Sequence, residues 1–121
     1  MKSHPYQRAD RIKKLVHREV AKIISSLKDP RAKYVTVTEV EITDDLRNAK
    51  IYYTVMNKDE HSENVESMFE SAKGFIRKEL CRRVTLKHAI DIDFRYDKFL
   101  EKSLRVISIL DKIKDEEKNH Q

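Results

Sequence analysis

Apolar residues recur at helical spacing in three stretches of the chain and alternate with polar ones in three others. From Asp10 to Leu27 the residues Ile12, Leu15, Val16, Val20, Ile23, Ile24 and Leu27 form one stripe, which predicts an amphipathic helix. Asp10 is its N-cap candidate, and Lys28-Asp29-Pro30-Arg31 stops it. Val35 to Thr43 alternates, but the apolar phase slips between Val37 and Val40, which predicts a bulge near Thr38 and Glu39. Turn chemistry from Thr43 to Asn48 follows. Ala49, Ile51, Tyr53 and Val55 then share one strand face, so the pair reads as a β-hairpin with Lys50, Tyr52 and Thr54 on its other face.

Beyond a polar connection from Asn57 to Ser62, helical spacing returns in Val65, Met68, Phe69, Ala72, Ile76, Leu80 and Val84, with Ser62 as a candidate cap. Ile90, Ile92, Phe94 and Tyr96 alternate with Asp91, Asp93 and Arg95 as a third strand. A last helix is expected from about Phe99 to Ile113, on Leu100, Leu104, Ile107, Leu110 and Ile113. From Lys114 to Gln121 the chain reads as a charged, disordered tail beyond a domain of residues 1–113. Three strands with helices over one face make a two-layer α+β domain.

The second helical region contains the only glycine of the chain, Gly74. Average usage of about 7% would supply roughly eight glycines at this length. A glycine inside a helix costs about 1 kcal/mol relative to alanine, so its position calls for a cause. Either it kinks one helix into two, or it lets another backbone approach closely. The residues after it, Phe75 to Arg83, are strongly basic, and a nucleic-acid backbone is the natural candidate for what approaches.

Charge sharpens that reading. The 121 residues carry a net charge of +5. Residues 1–33 hold ten Lys and Arg against three acids, and residues 73–88 hold six against one. Between them, residues 34–72 hold three against nine. Positive charge concentrated in two segments favours a polyanionic partner. In the first helix Arg11, Lys14, Arg18 and Lys22 fall within one narrow arc opposite the apolar stripe, as a row of phosphate contacts would.

The remaining chemistry is thin. One cysteine forms no internal disulfide and no Cys/His group has zinc spacing, so a reducing cytoplasm is expected. The first seven residues lack the apolar core of a signal peptide, and no apolar run reaches the length of a membrane span. Asp91 and Asp93 on one strand face, with Asp44-Asp45 in a turn, are the residues a Mg²⁺-dependent nuclease would need. A polar strand face and a turn account for them more simply. His17 and His88 lack partners at ligand spacing, and Cys81 reads as a small helix residue near the core despite Arg82 and Arg83 beside it. No P-loop, Ser-His-Asp set or nucleotide motif is present. The reading is a binding protein, not an enzyme, with no cofactor, metal or small-molecule substrate.

The order of elements matches KH-type RNA-binding domains, which clamp nucleic-acid backbone with a GXXG loop between two helices. This chain has Ala72-Lys73-Gly74 in that place. Six pieces in register, Arg8-Ala9-Asp10-Arg11-Ile12 with Arg18-Glu19-Val20-Ala21, Asp29-Pro30-Arg31, Val40 to Leu46, Ala49-Lys50-Ile51-Tyr52, Ala72 to Arg77, and Phe94-Arg95-Tyr96-Asp97, carry a resemblance to the ribosome-binding factor A family over residues 5–113. Family members usually have a proline where this chain has Ile90.

The resemblance implies a single type II KH-like domain with an Ala-x-Gly kink at Ala72, Lys73 and Gly74 replacing GXXG, plus a C-terminal helix. It also implies a cytoplasmic monomer that binds the free 30S ribosomal subunit or its precursor. Its role would lie in late maturation, including the 5′ end of 16S rRNA, with defects worst in the cold. It would leave as assembly advances, aided by a GTPase, and would not be found on intact 70S ribosomes. On this reading Lys73, Arg77, Lys78, Arg82 and Arg83 contact RNA phosphates beside the kink, and Arg8, Arg11, Lys14 and Arg18 extend the footprint. The competing functions are a general KH-type RNA chaperone, which would keep GXXG, and a ribonuclease using Asp91 and Asp93.

Overall fold

The computed structural model describes residues 5–119, with the side chains of residues 5–7, 101, 104–106, 108 and 115–119 outside that description. The first apolar stripe lies on helix α1, Pro5–Ser26, and buries Val16, Val20, Ile23 and Ile24. The helix begins before Asp10, which is therefore not its N-cap; it sits one turn inside and pairs with Lys14 at 3.2 Å. Asp29 instead caps a short 3-10 turn, Pro30–Tyr34, by accepting the Arg31 N–H at 2.9 Å.

Strand β1, Val35–Ile42, pairs antiparallel with β2, Asn48–Val55. The register jumps between Val37 and Glu39, so the bulge falls on Thr38, as the phase slip predicts. Along β2 every second residue, Ala49, Ile51, Tyr53 and Val55, is buried. The connecting turn lacks glycine, and Leu46 takes a left-handed conformation with φ of 60°. Its N–H bonds the Thr43 carbonyl at 2.9 Å, and the Arg47 N–H bonds Asp45 at 3.0 Å, so hydrogen bonds on either side hold a shape that leucine does not favour.

Helix α2, Lys58–Arg83, differs from expectation in two respects. It starts four residues before Ser62, with Asn57 left-handed at its N-cap position and no side-chain cap bond. It is also one helix: the ladder continues through Gly74, and the expected division into two helices is not observed. Gly74 has a negative φ, and nothing such as a proline or a π-bulge interrupts the hydrogen bonding there. Strand β3, Asp91–Tyr96, runs parallel to β2 at the sheet edge, in the order β1-β2-β3.

Val65, Met68, Phe69, Ile76 and Leu80 of α2 meet the α1 stripe and the buried face of the sheet in one core. The molecule is therefore α+β, with α1 and α2 over one face of a three-stranded sheet. Ile90, just before β3, is 1% exposed and belongs to that core. Cys81 is partly buried against it, near the Ile90 carbonyl. Helix α3, Lys98–Asn119, continues six residues past Ile113, into the segment expected to be a disordered tail. Asp97 caps it by accepting the Leu100 N–H at 2.8 Å, and its other oxygen accepts the Thr38 hydroxyl at 2.6 Å. Ile107, Leu110 and Ile113 of α3 are exposed, and the Leu104 side chain lies outside the described residues. Among the described residues no helix is long and apolar enough to cross a membrane.

Candidate nucleic-acid interface

Helical periodicity distributes the five candidate cations of α2, Lys73, Arg77, Lys78, Arg82 and Arg83, over different sides. Lys73 and Arg77, four residues apart, face β3. Lys73 lines a groove of about 360 Å³ between α2 and β3, shared with Glu66, Glu70, Asp93 and Arg95. Arg77 donates to the Ile90 carbonyl at 3.2 Å and pairs with Asp91 at 3.5 Å, so its guanidinium fastens the lead-in to β3. Lys78 is exposed and has no hydrogen-bond or ion-pair partner among the described residues. Arg82 bonds Glu79 at 2.8 Å, and Arg83 reaches both Glu79 at 3.7 Å and, on α1, Glu19 at 3.3 Å.

Glu19 joins the two basic segments. Its carboxylate, with a side chain only 14% exposed, is surrounded by Arg18 at 3.5 Å, Lys22 at 3.9 Å and Arg83 at 3.3 Å. Two acids, Glu19 and Glu79, thus hold four cations from two helices in one patch. A cation sharing an acid with others keeps donors free, so such a patch retains positive potential toward solvent. Glu79 is held below the usual carboxylate range, first by the Arg82 hydrogen bond and then by the nearby charges of Arg82 and Arg83, and remains an anion.

Further along α1, Lys14 pairs with Asp10, whereas Arg8 and Arg11 have no partner among the described residues. Arg8 lines a second cavity, of about 340 Å³, with Asp44, Asp45, Arg47, Lys87 and His88. There Arg47 lies 3.1 Å from His88 Nε2, while its own backbone is pinned through its N–H to Asp45 and through its carbonyl to the Asp91 N–H at 2.7 Å. Arg47, Lys87 and His88 are not among the contacts expected from the sequence. They sit in separate loops, and only the fold brings them to Arg8; the Lys87-His88 pair, in the loop that follows the basic end of α2, was the available signal.

Of the kink residues, Ala72 packs against the core, Lys73 enters the groove, and Gly74 is exposed. A Cβ added at Gly74 would meet no atom within 4 Å apart from its chain neighbours and the backbone of its own helix. Among the described residues, no other part of the chain approaches the glycine. Asp91 and Asp93, the candidate nuclease pair, are each engaged by an arginine, Asp93 by Arg95 at 2.8 Å. Among the described residues no group of three His, Cys, Asp or Glu side chains is placed to hold a metal ion.

The sequence profile described as Ribosome-binding factor A matches residues 8–110. The chain belongs to the ribosome-binding factor A family. A family member from Neisseria meningitidis serogroup C is 39% identical over 109 residues, covering 89% of this chain and 88% of that protein. The crystal structure of ribosome-binding factor A from Thermus thermophilus superposes with a TM-score of 0.65 at 22% identity, over 73% of this chain and 94% of that one. A homology model of the Thermus thermophilus protein, fitted into a cryo-EM map of its complex with the 30S subunit, gives a TM-score of 0.60 at 22% identity, over 70% and 90% of the two chains. These likenesses establish the fold as the KH-like fold of the family. An ordinary KH domain clamps nucleic-acid backbone with a GXXG loop, a motif this sequence lacks.

Proposed function

We propose that this protein binds the free 30S ribosomal subunit or its precursor in the cytoplasm and assists late maturation, including the 5′ end of 16S rRNA, without catalysing a reaction itself. The observation that carries the reading is the patch around Glu19, where Arg18 and Lys22 of α1 meet Arg83 of α2, with Arg82 beside it on Glu79. Two basic segments far apart in sequence converge on one surface, and Arg8, Arg11 and Lys78, unpartnered among the described residues, extend the positive charge beyond it. Arg8, Arg11, Lys14, Arg18, Lys78, Arg82 and Arg83 contact phosphates in this reading. Lys73 and Arg77 contribute at the β3 side or act by holding the fold.

Phosphate contacts orient a protein on RNA without reading its sequence. Recognition therefore comes from RNA shape and from the surrounding subunit. Membership of a family named for ribosome binding supports the choice of partner, as does the relative fitted on the 30S subunit. The protein acts as a monomer, departs once assembly advances, and matters most in the cold, when RNA rearrangements are slow.

Cosedimentation with free 30S subunits and with intact 70S ribosomes, across a salt series, tests this. Retention on 30S alone is expected, lost at high salt and in a folded Lys78→Glu/Arg82→Glu variant. Equal retention on 70S ribosomes, or binding to bulk RNA with none to subunits, overturns the reading.

A further inference from the structure

Four residues of α2 at positions i, i+3, i+4 and i+7, namely Ser71, Gly74, Phe75 and Lys78, form one contiguous outward patch, and all four are exposed. Phe75 is the unexpected member, with 54% of its surface open to solvent. The rings of Tyr34, Tyr53, Phe69, Phe94 and Tyr96 all take part in ring contacts within the fold, whereas Phe75 takes part in none among the described residues. The space beside it is bare. Gly74 has no Cβ, nothing beyond its chain neighbours and its own helix backbone lies within 4 Å of where one would be, and the Ser71 hydroxyl turns back onto its own helix, to the Met68 carbonyl at 3.1 Å. Lys78, without a partner among the described residues, supplies a free cation at the other side of the ring.

An exposed aromatic face, a flat shelf next to it and a flexible cation within one helical turn match what an unpaired nucleobase requires: a ring to stack on, room for the sugar, and a charge for the phosphate. We infer that Phe75 is a base-stacking residue, and that the RNA met by α2 is single-stranded at that point. The inference rests on the proposed ribosomal RNA partner and specifies the form in which RNA is bound. Charge decides between RNA and an apolar protein surface. Phe75 lies in a segment with six cations against one acid, residues 73–88. Phe99, which is also exposed, lies in residues 89–121, where seven cations face eight acids.

The test compares wild type, Phe75→Tyr and Phe75→Leu on free 30S subunits and on protein-free 16S rRNA, each variant first shown to be folded. Leucine keeps the apolar character and removes the π face. Phe75→Leu should bind both partners roughly 5- to 100-fold more weakly, while Phe75→Tyr stays close to wild type. The chain has no tryptophan, so a Phe75→Trp variant carries a single reporter, and its emission should be quenched on adding protein-free rRNA. Wild-type affinity in Phe75→Leu overturns the inference. So does a loss seen with subunits but not with protein-free rRNA, which would assign Phe75 to a ribosomal protein. Binding to subunits with none to protein-free rRNA overturns it as well. Failure of wild type to bind subunits at all is a separate result and removes the functional reading beneath it.

Discussion

Arg83 on α2 reaches Glu19 on α1 across 64 residues of sequence, with Nη1 and Oε2 3.3 Å apart. The contact fixes where the end of one basic helix lies along the other. It also places a negative charge at the centre of the surface proposed to meet RNA. Those two roles have opposite consequences for binding, and a single substitution separates them. Glu19→Gln keeps the shape of the side chain and removes its charge. Partly exposed ion pairs are worth about 0.2–1 kcal/mol, so thermal unfolding should show a loss within that range. Affinity for 30S subunits should rise at low salt, because Arg18, Lys22 and Arg83 are no longer neutralised in common. Weaker binding in a folded variant would mean that the carboxylate itself orients the cations against RNA.

Gly74 gives the second prediction. A glycine in a helix interior costs about 0.5–1 kcal/mol relative to alanine, and here no contact within the described chain offsets it. Gly74→Ala should therefore raise the unfolding free energy of the isolated protein by about that amount, read from denaturant midpoints at constant slope. If RNA backbone approaches the bare helix surface, the same variant should bind 30S subunits more weakly. A more stable variant with unchanged affinity would remove close approach as the reason for the glycine.

Arg77 and Lys78 are adjacent in sequence and should behave differently. Arg77 is occupied with the Ile90 carbonyl and Asp91, whereas Lys78 has no partner among the described residues. Arg77→Gln should lower stability by about 0.5–1 kcal/mol through a lost, partly exposed hydrogen bond and ion pair. Lys78→Gln should stay within about 0.5 kcal/mol of wild type in stability. In exchange, it should reduce the slope of log affinity against log salt by roughly 0.7, as expected for one phosphate contact to a single strand. A reversed pattern, with Lys78 stabilising and Arg77 binding, would refute the assignment of these side chains.

The contrast between those neighbours shows what the sequence could and could not convey. Periodicity located every strand and the buried faces of α1, β2 and α2, because burial itself imposes spacings of 3.6 and 2. The bulge at Thr38 was legible for the same reason: it shifts the phase. Element ends were less legible. Asp10 has the chemistry of a cap, yet α1 starts at Pro5, and α2 starts at Lys58 without any side-chain cap. The continuity of α2 through Gly74 was not legible, because glycine permits a break without enforcing one. For the candidate site, charge segments pointed to α1 and α2 but could not show which of their cations are already engaged. That depends on Glu19, Asp91 and Ile90, which approach from elsewhere in the fold.

Asp29 offers a prediction in pH. Its carboxylate accepts the Arg31 backbone N–H and the Arg31 Nε–H, each at 2.9 Å. These bonds, the side-chain one foremost, lower its pKa from the ordinary 3.8 to about 2. The folded state therefore holds the proton less tightly than the unfolded chain. The stabilisation is fully present above about pH 4, where both states are ionised, and is lost as pH falls toward 2. Asp29→Asn preserves a capping side chain and removes the charge. Its unfolding midpoint should lie below that of wild type at neutral pH, with the gap narrowing between pH 4 and pH 2. A gap that stays constant over that interval would show that the Asp29 charge adds nothing and that only the cap geometry matters to the turn leading into β1.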